Sequence, residues 1–117
     1  MEYSYKKKFT FEQRIQESQT LLNRYKGRIP VICEKDPKSS LKSIDKIQFL
    51  CPYDMNITQF NFLIRRNLKL AEEVSIYLLI NGKKAIGGDE TMQYLYQTHK
   101  DKDGFLYITY ASEIFWG

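Results

Sequence analysis

The sequence predicts an α+β fold in which a helix packs across a mixed sheet, and three observations carry the prediction. The segments read in the order helix, strand, strand, helix, strand, helix, strand. Two consecutive early strands, then a crossover helix, then further strands fit a sheet with both antiparallel and parallel neighbours. The 117 residues are 43% hydrophobic and 15% aromatic, enough for one core without disulfide staples. Nine Tyr and seven Phe against six Gly and three Pro exclude a disordered chain.

Residues 1–9 are short, polar and aromatic and predict one loose helical turn. Thr10-Phe11-Glu12-Gln13 has the form of a capping box, with Thr10 as N-cap and Gln13 reaching back. Phe11, Ile15, Leu22 and Tyr25 recur at helical spacing with Leu21 flanking, and Gly27 ends the helix. Residues 29–34 read as a strand whose Pro30 needs a free neighbour on one side. A loop at 36–40 follows, then a second strand over Gln48–Pro52, also bounded by proline. Thr58 to Leu68 reads as a helix with Phe60, Leu63, Ile64 and Leu68 inward. Ile76 to Ile80 is a strand stopped by the turn Asn81-Gly82. Thr91 to His99 is a short helix presenting Met92, Leu95 and Tyr96 on one face, and Asp103-Gly104 turns into a last strand over 105–110. This order fits a β-grasp domain. A ferredoxin-like arrangement competes, but it opens with a βαβ unit, whereas here two strands come first.

Net charge is +4 with a pI near 9.0. That balance suits anionic membrane or acidic peptides and lacks the concentrated basic stripe of a nucleic-acid binder. Cys33 and Cys51 sit in apolar runs and read as buried, reduced thiols. One histidine and no Cys-x-x-Cys argue against a metal site, and no cofactor is expected. The histidine, His99, reads as a helix-end residue, so neither cysteine has a base placed beside it and no enzyme is expected. With no apolar leader, no membrane-length run, and Glu2 rather than glycine after Met1, the chain is expected in the cytoplasm. Lys6-Lys7-Lys8 reads first as a solvated face, with anionic lipid contact as the alternative. Gly117 follows Ile114-Phe115-Trp116. A residue without Cβ lets a narrow cleft close around the backbone and reach its carboxylate, as activation and transfer of a carboxyl group require.

The chain resembles the autophagy ubiquitin-like modifiers, GABARAP and its relatives. The resemblance rests on Phe11-Glu12-x-Arg14 with Glu17-Ser18, on Tyr25-x-x-Arg28-Ile29-Pro30-Val31-Ile32-x-Glu34-Lys35, and on Asp45-Lys46. It continues in Phe49-Leu50-x-Pro52-x-Asp54-Met55, in Gln59-Phe60-x-x-Leu63-Ile64-Arg65, and in Thr91-Met92-x-x-Leu95-Tyr96. The last block is His99-Lys100-Asp101-x-Asp103-Gly104-Phe105-Leu106-Tyr107-Ile108-x-Tyr110. Departures are Lys26-Gly27 where Pro-Asp is usual, and Ala85-Ile86-Gly87-Gly88-Asp89 where a Pro-Pro loop is usual. Gln48 and Asn67 stand at commonly basic positions, and Trp116 replaces a smaller aromatic. The Trp-Gly ending is similar to that of the sister modifier joined to protein rather than to lipid.

The resemblance implies a ubiquitin-like β-grasp domain with a mixed four-stranded sheet and two additional N-terminal helices. Residues 1–26 would form the helical extension and 27–117 the ubiquitin-like domain with its conjugation tail, compact as one unit. It implies joining of Gly117 to phosphatidylethanolamine by activating and conjugating enzymes, release by a deconjugating cysteine protease, and residence on autophagosomal or related membranes when lipidated. It also implies a groove for extended peptides of aromatic-x-x-aliphatic pattern in cargo receptors and adaptors, with the edge at Gln48–Pro52. Glu17, Leu21, Pro30, Ile32, Leu50 and Phe105 would line the aromatic pocket. Phe49, Cys51, Pro52, Met55, Phe60 and Leu63 would line the aliphatic one, and Arg28, Lys46 and Arg65 would attract acidic flanks. Phe49 and Leu50 cannot face the same side of one strand, so one of them is expected at the surface. A protein-linked modifier and a purely non-covalent adaptor remain as alternatives, and a basic cytoskeletal or RNA-binding module as a weaker one.

Overall fold

The computed structural model describes residues 2–112. Its elements are α1 (Ser4–Lys8), α2 (Phe11–Arg24), β1 (Arg28–Lys35), β2 (Gln48–Pro52), α3 (Ile57–Leu68), β3 (Tyr77–Ile80), β4 (Lys84–Ala85), α4 (Met92–His99) and β5 (Leu106–Ala111). The strands form one sheet in the order β2-β1-β5-β3-β4. β1 and β5 run parallel while the β1–β2, β3–β5 and β3–β4 pairs are antiparallel. The mixed sheet and its four main strands are as expected. The fifth strand, β4, adds only two residues at the far edge, too few to leave a period in the sequence.

Both faces of the sheet centre are covered, and this explains the burial pattern. α3 lays Ile57, Phe60, Ile64 and Leu68 against Val31, Cys33, Phe49, Leu106 and Ile108 on one face. On the other, Tyr3 and Tyr5 of the N-terminal segment and Leu21 of α2 meet Ile32, Phe105 and Tyr107. Central β5 is therefore buried at every residue, while edge strand β2 alternates between buried and half-buried positions.

The local chemistry of the elements follows from their end residues. α2 opens with the expected capping box, Gln13 N donating to Thr10 Oγ1 (3.1 Å) and Thr10 N to Gln13 Oε1 (2.8 Å). α3 has a second box between Asn56 and Gln59, so it starts at Ile57, one residue before the sequence reading. The turn after β3 puts Asn81 and Gly82 at φ of 53° and 72°, the left-handed pair that a tight hairpin needs.

The inward face of α2 differs from the expectation. Phe11 and Tyr25 are exposed, Ile15 and Leu22 are half-buried, and the buried residues are Ser18 and Leu21. The helix rests on the backbone of residues 103–105, where only a small side chain fits beneath it.

Candidate functional site

β2 is the sheet edge nearest the N-terminal helices, and its hydrogen bonding decides what it presents. Cys33 N donates to Ile47 O (2.8 Å) and Tyr53 N to Gly27 O (3.0 Å), which fixes the phase of the β1–β2 ladder. In an antiparallel pair, alternate residues turn both backbone groups toward the partner. Residues 47, 49, 51 and 53 therefore bond β1, while Gln48 and Leu50 aim their N–H and C=O outward. Pro52 shares their phase and has no N–H to offer. On β1, Pro30 lies opposite Leu50 in a non-bonded pair, and β5 pairing begins one residue later at Val31. The missing donor of Pro30 thus costs no ladder bond.

The residues expected around an aromatic pocket are brought together where α2 meets the sheet. Leu21, Ile32 and Phe105 share one apolar cluster with Leu50 packed against it. Phe105 and Ile32 have no exposed surface and Leu21 is 8% exposed, so they form a packed floor rather than an open wall. Leu50 is half-buried, Pro30 buried and Glu17 exposed. A cavity of about 450 Å³ opens beside them, lined by Glu17, Gln48 and by Tyr5, Phe9, Gln13, Gln16 and Thr20. The role of α1 and Phe9 in this wall had no sequence signal beyond an aromatic N-terminus.

The second group lies across the strand, on the α3 side. Phe49, Cys51 and Phe60 are buried, with the Phe49 and Phe60 rings edge to face at 5.6 Å. Pro52, Met55 and Leu63 are half-buried at the surface above them. Phe49 inward and Leu50 partly outward is the alternation expected of the strand.

Of the three cations, the structure brings two to the edge. Arg28 Nη1 donates to the outward carbonyl of Leu50 at 3.2 Å. Lys46 Nζ lies 5.1 Å from the centre of the Phe49 ring. Arg65 is placed elsewhere: it donates to the carbonyls of Val74, Ala71 (2.8 Å) and Glu72 (3.3 Å), which bind it to the loop before β3. The sequence located Arg65 on α3 but not the side of the helix it occupies, and both of its Nη atoms are engaged by this loop.

Burial is the first cause of the Cys51 thiol being pushed up to about 12, with Arg28 and Lys46 opposing it. Burial pushes Cys33 up as well, with Cys51 and Glu34 adding to the rise. Both thiols are free, and neither is a thiolate near neutrality. Cys51 lies opposite Ile29, four residues from Cys33 along β1, roughly 13 Å, too far for a disulfide. Lys6 pairs with Asp101 (2.7 Å) and Lys7 with Glu2 (3.7 Å), so two members of the lysine run have anionic partners. His99 occupies the last turn of α4, as expected. Among the described residues no cluster of three His, Cys, Asp or Glu side chains could hold a metal ion. No helix among them is long and apolar enough to cross a membrane. Gly117, Phe115 and Trp116 lie outside the described residues.

One constellation beneath the site was missed by the sequence reading. Arg14 Nε donates to Asp103 Oδ2 at 2.8 Å, and the Asp103 side chain has no exposed surface. Asp103 also accepts from Tyr107 Oη, and its Oδ1 accepts from Phe105 N at 2.9 Å. Ser18 Oγ donates to Asp103 O at 2.6 Å. Partners 85 to 89 positions apart leave no local pattern to read.

Comparison with known proteins agrees with this geometry. The family model described as autophagy protein Atg8, ubiquitin-like, matches residues 13–117. Autophagy-related protein 8 of Saccharomyces cerevisiae is 42% identical over 113 residues, covering 97% of this chain and 96% of that one. The protein of the same name from Schizosaccharomyces pombe is also 42% identical, covering 97% and 93%. The crystal structure of Trypanosoma brucei ATG8 superposes with a TM-score of 0.92 at 32% identity and covers both chains in full.

Proposed function

Since this chain belongs to the Atg8 family of autophagy ubiquitin-like proteins, we propose that it is a modifier joined through Gly117 to phosphatidylethanolamine, and that its β2 edge then recruits cargo receptors and adaptors. The observation that carries the recruiting half is the outward backbone of Gln48 and Leu50 between two apolar seams. A ligand of pattern aromatic-x-x-aliphatic in extended form turns those two side chains to opposite faces, because three is an odd number of residues on a strand of period two. The aromatic side chain then meets the α2 seam around Glu17, Leu21, Pro30, Ile32, Leu50 and Phe105. The aliphatic one meets the α3 seam around Phe49, Cys51, Pro52, Met55, Phe60 and Leu63. The ligand adds as a strand, and Arg28 and Lys46 attract acidic residues beside its motif.

The conjugation half rests on the family, whose model match extends to Gly117. An activating and a conjugating enzyme, both cysteine-dependent and consuming ATP, would carry the Gly117 carboxyl as a thioester and pass it to the lipid amine, and a cysteine protease would reverse the amide. One acyl chain gives marginal membrane binding, whereas phosphatidylethanolamine brings two acyl chains and a primary amine together. The unloaded protein would be cytoplasmic and the loaded one held on autophagosomal or related vesicles. Deleting Gly117 tests this reading. The variant should fold and bind peptide as before, yet fail to co-sediment with phosphatidylethanolamine liposomes after treatment with the loading enzymes. Co-sedimentation that survives the deletion, or an adduct mapping to a protein lysine, overturns the lipid assignment.

A further inference from the structure

The α2 seam contains a mechanical stop directly under the aromatic subsite. Gly104 has φ +91°, and a Cβ built on it would lie 2.3 Å from Ser18 Oγ and 3.0 Å from Ser18 Cβ. Ser18 is 1% exposed and its hydroxyl bonds Asp103 O, so α2 rests on the 103–105 backbone with one oxygen as the spacer. The loop cannot yield downward. Asp103 is held by Arg14, Tyr107 and Phe105 N, and Gly104 O accepts from Tyr96 Oη at 2.7 Å. Phe105, the residue after the stop, and Leu21, one helical turn after Ser18, belong to the cluster beneath the aromatic subsite. Glu17, the residue before Ser18, lines the adjacent cavity.

We infer that the contact between Ser18 and Gly104 sets the separation of α2 from Phe105, and so determines which aromatic side chain the seam accepts. Ser18 and Gly104 are specificity-determining without touching the ligand. The inference rests on the peptide-docking reading above and deepens it. A close-packed interior passes a change of one atom to its neighbours instead of absorbing it. Adding a methyl at position 18 raises α2 from the loop and widens the subsite, and removing the hydroxyl lets the helix settle.

The test uses the full chain and two synthetic peptides differing only in Trp or Phe at the aromatic position, with titration calorimetry giving the ratio of their affinities. Ser18→Thr keeps the hydroxyl and should shift the ratio toward Trp by roughly tenfold, the discrimination one methylene commands in an apolar pocket. Ser18→Ala should shift it toward Phe. If Ser18→Thr does not fold, the smaller Ser18→Ala decides alone. A variant that weakens both peptides equally, leaving the ratio at the wild-type value, shows a structural role only and overturns the inference while leaving the docking reading intact. Wild-type protein that binds neither peptide overturns the docking reading itself.

Discussion

Replacing Arg14 by methionine should be among the costliest single changes on the α2 face. The side chain is 11% exposed and its partner carboxylate is fully enclosed, so the substitution strands a buried charge. Breaking such a pair from one side costs about 3–5 kcal/mol. Asp103 keeps the Tyr107 hydroxyl and Phe105 N–H as donors, which points to the lower end. Arg14 Nη1 also donates to Phe9 O (2.7 Å) and Lys6 O (3.3 Å) at the end of α1, and losing these adds about 1 kcal/mol. The expected loss is about 4 kcal/mol, or roughly 15 °C in Tm for a domain of this size. Urea denaturation at neutral pH, with calorimetry for Tm, measures it. Adding Asp103→Asn to Arg14→Met removes the stranded charge and should restore part of the loss. A single-variant loss below about 1 kcal/mol, or a double variant no more stable than the single, would refute this account of the buried pair.

Three further outcomes are expected. Leu50→Ala should weaken an aromatic-x-x-aliphatic peptide by about 1–3 kcal/mol through lost apolar contact; equal affinity in a folded variant would remove Leu50 from the subsite. Cys33 and Cys51 should resist alkylation in the native protein and give two thiols after unfolding, because burial holds both protonated; fewer than two thiols would mean oxidation or a disulfide. Burial tends to raise the Asp101 carboxyl, but the bonds from Lys6 Nζ and Asp103 N outweigh it and hold the carboxyl below its ordinary 3.8. Its folded value being depressed, the stabilisation exists above 3.8 and disappears as pH falls through the folded value. Lys6→Met should therefore be destabilising at pH about 7 and its gap to wild type should narrow in strong acid, leaving only the contact of Lys6 Nζ with the Tyr107 ring; a gap of the same size in strong acid would contradict this.

How far the sequence could be read depended on whether the controlling chemistry was local. The capping box at Thr10, the turn at Asn81-Gly82 and the β1–β2 segments were legible because adjacent residues carry their signals. The Asn56–Gln59 box has the same local spacing and sets the start of α3 at Ile57, one residue before Thr58. The face of α2 was not legible. Apolarity favours Phe11 and Tyr25, but the helix seats through Ser18 because a glycine backbone lies beneath it. Arg65 has the same difficulty: its position on α3 was clear, and only the loop carbonyls of residues 71–74 show where its guanidinium goes. The residues proposed for the two pockets were nameable through family resemblance, whereas the Arg14–Asp103 pair beneath them was not.

The open edge of β2 is short enough to limit what can exploit it. Gln48 and Leu50 offer four backbone groups, and Arg28 already occupies one of them. At about 1 kcal/mol net for each hydrogen bond, the backbone supplies less than half of the roughly 8 kcal/mol that micromolar binding requires. On the proposed docking mode the remainder comes from the two anchoring side chains of the ligand. The β2 edge of a second copy would present Gln48 and Leu50 rather than an aromatic and an aliphatic anchor three residues apart, and would face Arg28 and Lys46 with cations of the same kind. Self-association through this strand, the usual danger of an unpaired edge, is therefore disfavoured on both counts.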